Sequence, residues 1–238
     1  MSQYVYGKNV VKQLLNDNKK IYEVILLDGF KDRKLEEVIK KKRIPITYMN
    51  RKKMDQKLEG NHQGVAALID EYKIYSIDEL LQIPKDKLPL LVMLDGIEDP
   101  HNLGAILRTC DCVGADGVII GKHRSVSLNA TVAKVSTGAI DTIKVAQVTN
   151  LSRTIQYLKE KGYWIVGSDM DHASDYTKAN YDMPLVLVVG SEGNGISPLV
   201  KKQCDFFVKL PMVGKVTSLN ASVACGVLLY EIYSQREK

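Results

Sequence analysis

Cysteine is scarce in this sequence, and the few residues present lack the arrangement of a shared site. They do not form the two spaced pairs typical of zinc ligands, and their density is far below that of a disulfide-stapled domain. Reduced, mostly buried thiols are therefore expected, and no metal site is predicted. The four residues are Cys110, Cys112, Cys204 and Cys225.

Long apolar runs are also missing. No stretch approaches the roughly 18 apolar residues that span a bilayer, and the first residues, MSQYVYGKNVV, lack the basic and then apolar layout of a signal peptide. With 45% hydrophobic residues over 238 positions, the chain can still build a packed core. We expect a globular, cytoplasmic protein with no membrane partner.

Positive charge is concentrated in the first third of the chain. Residues 1–87 contain 18 Lys and Arg against 13 Asp and Glu, whereas residues 88–238 contain 15 of each. This surplus favours a polyanion such as RNA as a partner, although a solvated helix face would also account for it. The predicted RNA-binding residues are Lys40, Lys41, Lys42, Arg43, Arg51, Lys52 and Lys53.

The pattern of apolar residues predicts two α/β domains. The first, residues 1–75, alternates short strands and helices, and residues 76–88 are predicted as a linker because composition shifts there between Pro84 and Pro89. In residues 89–238, apolar strands alternate with amphipathic helices, which predicts a mostly parallel sheet covered on both faces. Strands are predicted at 91–96, 117–120, 163–169, 184–190 and 205–211, and helices at 102–114 and 218–233.

Three segments place small or polar residues just after a predicted strand, where parallel sheets bind ligands. The first, LDGIEDPHNLGAILRTC, has Asn102 where a helix N-cap would lie, Gly104 where a ligand could approach, and Arg108 further along the helix. Ordinary capping and a surface arginine would account for it equally well. The segment alone therefore does not identify a site.

The second segment, VLVVGSEGNGISP, runs from an apolar strand into three glycines that surround Glu192. Glycines after a strand indicate close backbone approach to a ligand. Their G-x-x-G-x-G spacing matches neither the dinucleotide fingerprint nor the P-loop, which excludes a Rossmann oxidoreductase and favours a nucleoside site. A plain tight turn is the alternative.

The third segment, LPMVGKVTSLNASVACGVLLYE, leaves a strand at Leu210 and enters a helix through Ser218 and Asn220. Helix capping is again an adequate account of the polar residues.

Together the three segments resemble the SpoU (TrmH) family of RNA 2'-O-methyltransferases, of the SPOUT superfamily, in order and spacing. Residues 89–235 carry this resemblance. Residues 1–75 are similar, less specifically, to the RNA-binding domain of RlmB-like ribosomal RNA methylases, through GKNVV near residue 7 and HQGVAA at 62–67. The family motifs are matched by Asn102, Gly104 and Arg108, by GSEGNGIS at 190–197, and by Pro211 with SLNASVA at 218–224.

The resemblance implies S-adenosylmethionine as methyl donor, a trefoil knot in the C-terminal third, and a homodimer with the active site at its interface. It implies no metal. Backbone groups of Gly190, Leu210 and Leu219 are expected to contact the cofactor, together with Ser191, Gly195 and Ser218.

The implied catalytic set is Asn102, Arg108, Glu192, Ser218 and Asn220. Arg108 is the family's proposed base, but an arginine with a pKa above about 12 is a poor proton acceptor, so an electrostatic role at the phosphate or oxyanion is expected. The amide and hydroxyl groups would orient the ribose, and Glu192 would steady the loop or the arginine.

A guanosine of 23S rRNA is the expected substrate, because a separate N-terminal domain favours ribosomal over transfer RNA. Transfer RNA is the first alternative. A catalytically idle RNA-binding or ribosome-assembly protein is the second.

Overall fold

The computed structural model describes residues 2–16, 19–58, 61–84, 86–169 and 173–237. The chain divides into two compact units, Met1–Tyr72 and Lys73–Lys238. Part of the segment predicted as a linker is packed into the second unit, where Leu80 is fully buried in the core. Among the described residues, no helix has the length and apolar character needed to cross a membrane.

The first unit is a four-stranded sheet of order β1-β4-β2-β3 with three helices. Strands β2 and β3 are parallel, and β4 is antiparallel to both β1 and β2. The carboxyl ends of β1, β2 and β3 therefore share one edge of the sheet with the amino end of β4. The elements are β1 (Ser2–Tyr6), α1 (Lys8–Asn16), β2 (Ile21–Leu27), α2 (Arg33–Lys41), β3 (Ile46–Met49), α3 (Arg51–Lys57) and β4 (Val65–Asp70).

The second unit is a seven-stranded sheet of order β7-β6-β5-β10-β8-β11-β9, and all its strand pairs are parallel. Its first half contains α4 (Ile77–Leu80), β5 (Leu90–Asp95), α5 (Pro100–Cys112), β6 (Gly117–Gly121), α6 (Ala130–Ser136), α7 (Ala139–Thr142), β7 (Val145–Val148) and α8 (Leu151–Glu160). Its second half contains β8 (Trp164–Ser168), β9 (Ser174–Asp175), β10 (Leu185–Gly190), α9 (Pro198–Lys201), β11 (Phe206–Lys209) and α10 (Ala221–Arg236).

The predicted α/β class with a mostly parallel sheet is confirmed. Apolar residues of β5 and β10, such as Met93 and Val188, pack in one core with Ile155 and Leu158 of α8. Both strands are buried along almost their whole length, which explains why their sequences read as continuous apolar runs. The trefoil knot stays a prediction.

Gly104 has a different role from the expected one. It is buried in α5, and a Cβ built there would lie 2.6 Å from the Cβ of Val135 in α6. The missing side chain therefore lets two helices pack closely, and it does not open space for a ligand.

Candidate active site

The first and second motifs meet at the carboxyl edge of the larger sheet. Strands β5 and β10 are neighbours, and Gly190 pairs with Asp95 at their last position. The Asp95 carboxylate also accepts a hydrogen bond from the backbone N–H of Ser197, at 2.7 Å. Asp95 thus fixes the far end of the glycine loop, a role that the sequence pattern did not indicate.

The glycine loop folds back tightly on the end of β10. Ser191 and Gly195 exchange two backbone hydrogen bonds, of 3.1 and 2.9 Å. A Cβ at Gly190 would lie 2.1 Å from the carbonyl carbon of Gly195 and 2.3 Å from the nitrogen of Ile196. Only glycine fits at this position, because both atoms belong to the backbone and no side chain can move aside.

Asn102 is not the helix N-cap that the sequence suggested. Asp99 caps α5 by accepting from the backbone N–H of His101, and Pro100 is the first helical residue. Asn102 therefore lies within the first turn, where the residue is 8% exposed and its side-chain amide donates to Glu192 Oε1 at 3.0 Å. Capping of α5 does not explain this residue.

Asn220 is the N-cap of α10 and also joins the other two motifs. Its Oδ1 accepts from the backbone N–H of Ser222 at 3.0 Å and of Val223 at 3.3 Å. Its Nδ2 donates to Asn102 Oδ1 at 2.9 Å and to Glu192 Oε1. The non-helical backbone of this cap is the reason that α10 starts at Ala221 and not near Ser218 as predicted.

Glu192 is the centre of this arrangement. One carboxylate oxygen accepts from the amides of Asn102 and Asn220 and, at 3.3 Å, from the backbone N–H of Ala221. Three motifs separated by up to 118 positions are thereby joined through hydrogen bonds to one acidic group. We call Asn102, Glu192 and Asn220 the polar triad.

A cavity of about 200 Å³ lies beside the polar triad at the ends of β8, β10 and β11. Its wall combines apolar residues with hydroxyl, carboxylate and backbone groups, a mixture typical of nucleoside-type ligands. All six residues predicted to contact a cofactor line it, namely Gly190, Ser191, Gly195, Leu210, Ser218 and Leu219. Glu192 also lines it, as do residues that were not assigned to a cofactor site from sequence, namely Ser168, Asp169, Val189, Met212, Thr217, Ala221 and Ala224.

Arg108 lies apart from the polar triad within one chain. It follows Asn102 by six helical residues, which corresponds to about 9 Å along α5 and about 120° around it. Its side chain is exposed, and within the described ranges it makes no hydrogen bond or ion pair. Glu192 therefore does not pair with this arginine in the monomer.

The predicted RNA-binding residues are divided between two ends of the first unit. Lys40 to Arg43 precede β3, and Arg51 to Lys53 follow it. The four residues of β3 span about 13 Å, so the two basic groups lie at opposite edges of the sheet. Lys40 is also paired with Glu36 at 2.6 Å.

The four cysteines all lie in the second unit, and at least two of them are inert, buried thiols. Cys110 and Cys225 are buried, Cys204 is half-buried and Cys112 is exposed. Burial raises the pKa of the Cys225 thiol to about 12, and the pKa of Cys110 is raised for the same reason. Among the described residues, no group of three or more His, Cys, Asp or Glu side chains is arranged to hold a metal ion.

Parallel strands that end at a glycine loop, the polar triad and a nucleoside-sized cavity are together the features of an α/β enzyme that binds its ligand at the carboxyl ends of the strands. Residues 89–230 match the SpoU rRNA Methylase family, and residues 4–75 match the family described as RNA 2'-O ribose methyltransferase substrate binding. The chain belongs to the SpoU methylase family, which confirms the resemblance, and it is an RNA methyltransferase of that family.

Relatives that are named as TrmH family methyltransferases match nearly the whole length of this chain. YacO of Bacillus subtilis (strain 168), named for the TrmH family of tRNA/rRNA methyltransferases, is 49% identical, with 98% of this chain and 96% of YacO covered. A similarly named protein of Staphylococcus haemolyticus (strain JCSC1435) is 46% identical with the same coverage.

Solved structures of family members have the same fold. The SpoU methyltransferase AviRb of Streptomyces viridochromogenes, in complex with AdoMet, matches with a TM-score of 0.69 and 22% identity over 99% of this chain and 91% of AviRb. The TrmH/SpoU tRNA modifying enzyme of A. aeolicus matches with a TM-score of 0.59 and 32% identity over 67% of this chain and 80% of that one.

Proposed function

We propose that this protein transfers a methyl group from S-adenosylmethionine to the ribose 2'-hydroxyl of a guanosine in 23S rRNA. The observation that carries the proposal is the polar triad, which joins all three motifs next to a cavity lined by every residue expected to contact the cofactor. Two asparagine amides and a carboxylate at the mouth of a cofactor cavity are suited to orient a hydroxyl group.

The cavity has the chemistry that S-adenosylmethionine requires. Val189, Leu210 and Leu219 provide apolar surface for an adenine ring, and hydroxyl and carboxylate groups such as those of Ser168 and Asp169 can pair with polar parts of the cofactor. Gly190 lines the cavity, and the absence of its side chain leaves room for the loop that folds back at Gly195 and Ile196. When bound there, the cofactor supplies a methyl group on a sulfonium leaving group that is already activated.

The protein must then orient the ribose and stabilise the charge that develops on its oxygen. Asn102 and Asn220 have fixed side-chain positions because each is hydrogen-bonded to Glu192 and to the other. Such preorganised groups need little rearrangement as the hydroxyl approaches the methyl group. Ser218, which lines the cavity, is placed to contact either the ribose or the cofactor.

We assign two electrostatic roles to Arg108. It would contact the phosphate beside the target ribose and stabilise the negative charge that develops on the ribose oxygen. A guanidinium keeps its proton at any physiological pH and presents several N–H donors, which suits an anion and not the role of a base. Its exposed position and its separation from the polar triad of its own chain favour action in the site of a partner subunit.

We propose that the protein forms a homodimer through the exposed surface of α10 beside Arg108. Val223, Val227, Tyr230 and Tyr233 recur at spacings of four and three residues and form an exposed apolar stripe, in which Tyr230 is 53% exposed. Thr109, which follows Arg108, lines the same shallow groove. A second copy packed on this stripe by twofold symmetry would bring the arginine of one subunit towards the other.

Val227→Asp combined with Tyr230→Asp is expected to convert the dimer into a monomer, because two carboxylates would have to be buried without partners. Light scattering after gel filtration should show the mass fall from about twice 26.6 kDa to 26.6 kDa, and methyl transfer should be lost. Leu199→Asp, an exposed apolar residue on α9, is the control and should remain dimeric. A wild-type monomer would contradict the proposal.

Ribosomal RNA is favoured over transfer RNA by the first unit, which matches a substrate-binding family and carries the surplus of positive charge. The A. aeolicus enzyme, described as modifying tRNA, covers only 67% of this chain. A substrate that requires the additional unit is therefore the better candidate.

The function is tested by incubating total RNA from a strain lacking the gene with labelled S-adenosylmethionine and mapping 2'-O-methyl groups. Wild type should restore one mark on a guanosine of 23S rRNA, and Asn102→Ala or Asn220→Ala should lower the rate by about 10- to 100-fold, because the hydroxyl is less well positioned. Asn150→Ala, at the N-cap of α8, is the control. A mark restored only on transfer RNA would reject the proposed substrate, and no transfer to any RNA would favour an idle binding protein.

A further inference from the structure

The first unit contains a recess that brings residues of its two sequence motifs, GKNVV and HQGVAA, together with Arg51. It lies at the sheet edge where β1, β2 and β3 end and β4 begins, and its volume is about 310 Å³. Four chain segments that are far apart in sequence meet there. They contribute Lys8 after β1, Gly29 to Lys31 after β2, Arg51 after β3, and Asn61 to Gly64 before β4.

The charge of the recess is positive. Lys8, Lys31 and Arg51 provide three cations, and Asp55 provides one carboxylate. Arg51 Nε lies 3.6 Å from Asp55 Oδ2, but 78% of the arginine side chain is exposed, so its remaining donors face solvent. The ammonium of Lys8 lies 5.4 Å from the centroid of the Phe30 ring, which places a cation over an aromatic wall.

The inner wall is held by specific hydrogen bonds. His62 is buried, and its Nδ1 accepts from the backbone N–H of Gly64 at 3.0 Å. The ring proton must then lie on Nε2, which donates to Asp55 Oδ1 at 2.8 Å. Gln63 has a φ of +52° and its Oε1 accepts from the backbone N–H of Lys8 at 3.0 Å. These bonds hold the Asp55 carboxylate and the backbone of Lys8 in place.

The other basic group of the first unit lies away from this recess. Lys40 to Arg43 lie at the opposite sheet edge, on the last turn of α2 and the residues after it. None of these four residues lines the recess. A phosphate group is bound more strongly where several cations converge on a concave surface than where they project separately into water.

We propose that this recess binds a phosphodiester group of the substrate RNA, with Lys8, Lys31 and Arg51 as its ligands. The proposal rests on RNA being the substrate and specifies where the first unit contacts it. Arg51 offers the planar donor pair that matches two phosphate oxygens, and the lysines add point charges. Of the seven residues predicted from sequence, the proposal assigns RNA contact to Arg51 and not to Lys40 through Arg43, and Lys52 and Lys53 do not line the recess.

The test compares two double variants of the full chain that each lose two positive charges. Lys31→Ala with Arg51→Ala removes two ligands of the recess, and Lys41→Ala with Lys42→Ala removes two charges from the opposite edge. The dissociation constant for transcribed 23S rRNA is measured between 50 and 200 mM salt, conditions in which phosphate contacts are sensitive to ionic strength. The first variant should bind at least tenfold more weakly, with the slope of log affinity against log salt lower by about 1 to 2. The second should stay within twofold of wild type.

Equal losses in the two variants, or no loss in the first, would overturn the proposal. Inorganic phosphate is titrated in parallel, and phosphate binding that depends on Lys31 and Arg51 while RNA binding does not would make the recess a small-anion site only. Affinity for S-adenosylmethionine should be unchanged in both variants, because the cavity lies in the second unit. If wild type binds RNA through the recess but transfers no methyl group, the proposed function fails and the recess proposal stands.

Discussion

Arg108→Ala is expected to lower the rate constant for methyl transfer by about 100- to 1000-fold, the range found when one preorganised donor to a developing oxyanion is removed. The Michaelis constant for S-adenosylmethionine should change little, because Arg108 lies outside the cavity that the cofactor residues line. Arg108→Lys should recover part of the loss, since it keeps the positive charge but not the planar set of donors.

The control for this variant is Arg153→Ala, an exposed arginine on α8. Because Arg108 is also exposed, its replacement should leave the thermal unfolding temperature unchanged. A rate within threefold of wild type would remove Arg108 from the catalytic set.

A second measurement identifies the subunit in which Arg108 acts. In heterodimers of Arg108→Ala and Asn220→Ala subunits, one of the two sites should be wild type if the arginine acts across the interface, which restores about half of the activity of the wild-type dimer.

Gly190→Ala is expected to abolish detectable binding of S-adenosylmethionine, with at least a 100-fold loss of affinity by calorimetry. The added Cβ would overlap backbone atoms of Gly195 and Ile196, and contacts of 2.1 to 2.3 Å cannot be relieved by a side-chain rotation. The loop must therefore move away from the end of β10. That movement displaces Ser191 and Gly195 from the cavity wall and Glu192 from its hydrogen bonds to the two asparagines.

Gly193→Ala is the matched control in the same loop. A Cβ at Gly193 has no neighbour within 4 Å, and its φ is not in the left-handed range, so alanine should be accommodated. Circular dichroism should show that both variants keep their folded secondary structure. Cofactor binding by Gly190→Ala with near wild-type affinity would mean that the loop does not form the cofactor wall.

Local features of the sequence were sufficient to predict most of the larger sheet. Strands β5 and β10 were recognisable because burial on both faces requires apolar residues at successive positions. Helix boundaries were less predictable. Several polar residues near the start of α5 are compatible with capping, and only the backbone conformation selects Asp99 over Asn102.

The first unit was harder to predict from its sequence. Its strands are only four to seven residues long, which leaves few positions over which an alternating pattern can be recognised. The charge count identified a basic segment correctly but treated its members as one surface. Strand β3, which pairs with β2, runs from the end of α2 to the start of α3. Lys40 to Arg43 precede β3 and Arg51 follows it, so the two groups lie at opposite edges of the sheet.

By itself, the sequence determined the α/β class, the three motifs and their family, because residue type and short-range spacing carry those signals. Only the tertiary structure decided that Asn102, Glu192 and Asn220 share hydrogen bonds, that Gly190 has no space for a side chain, and that Arg108 stands apart from them. Contacts between residues 28 to 118 positions apart depend on strand order and helix packing, which local spacing does not encode.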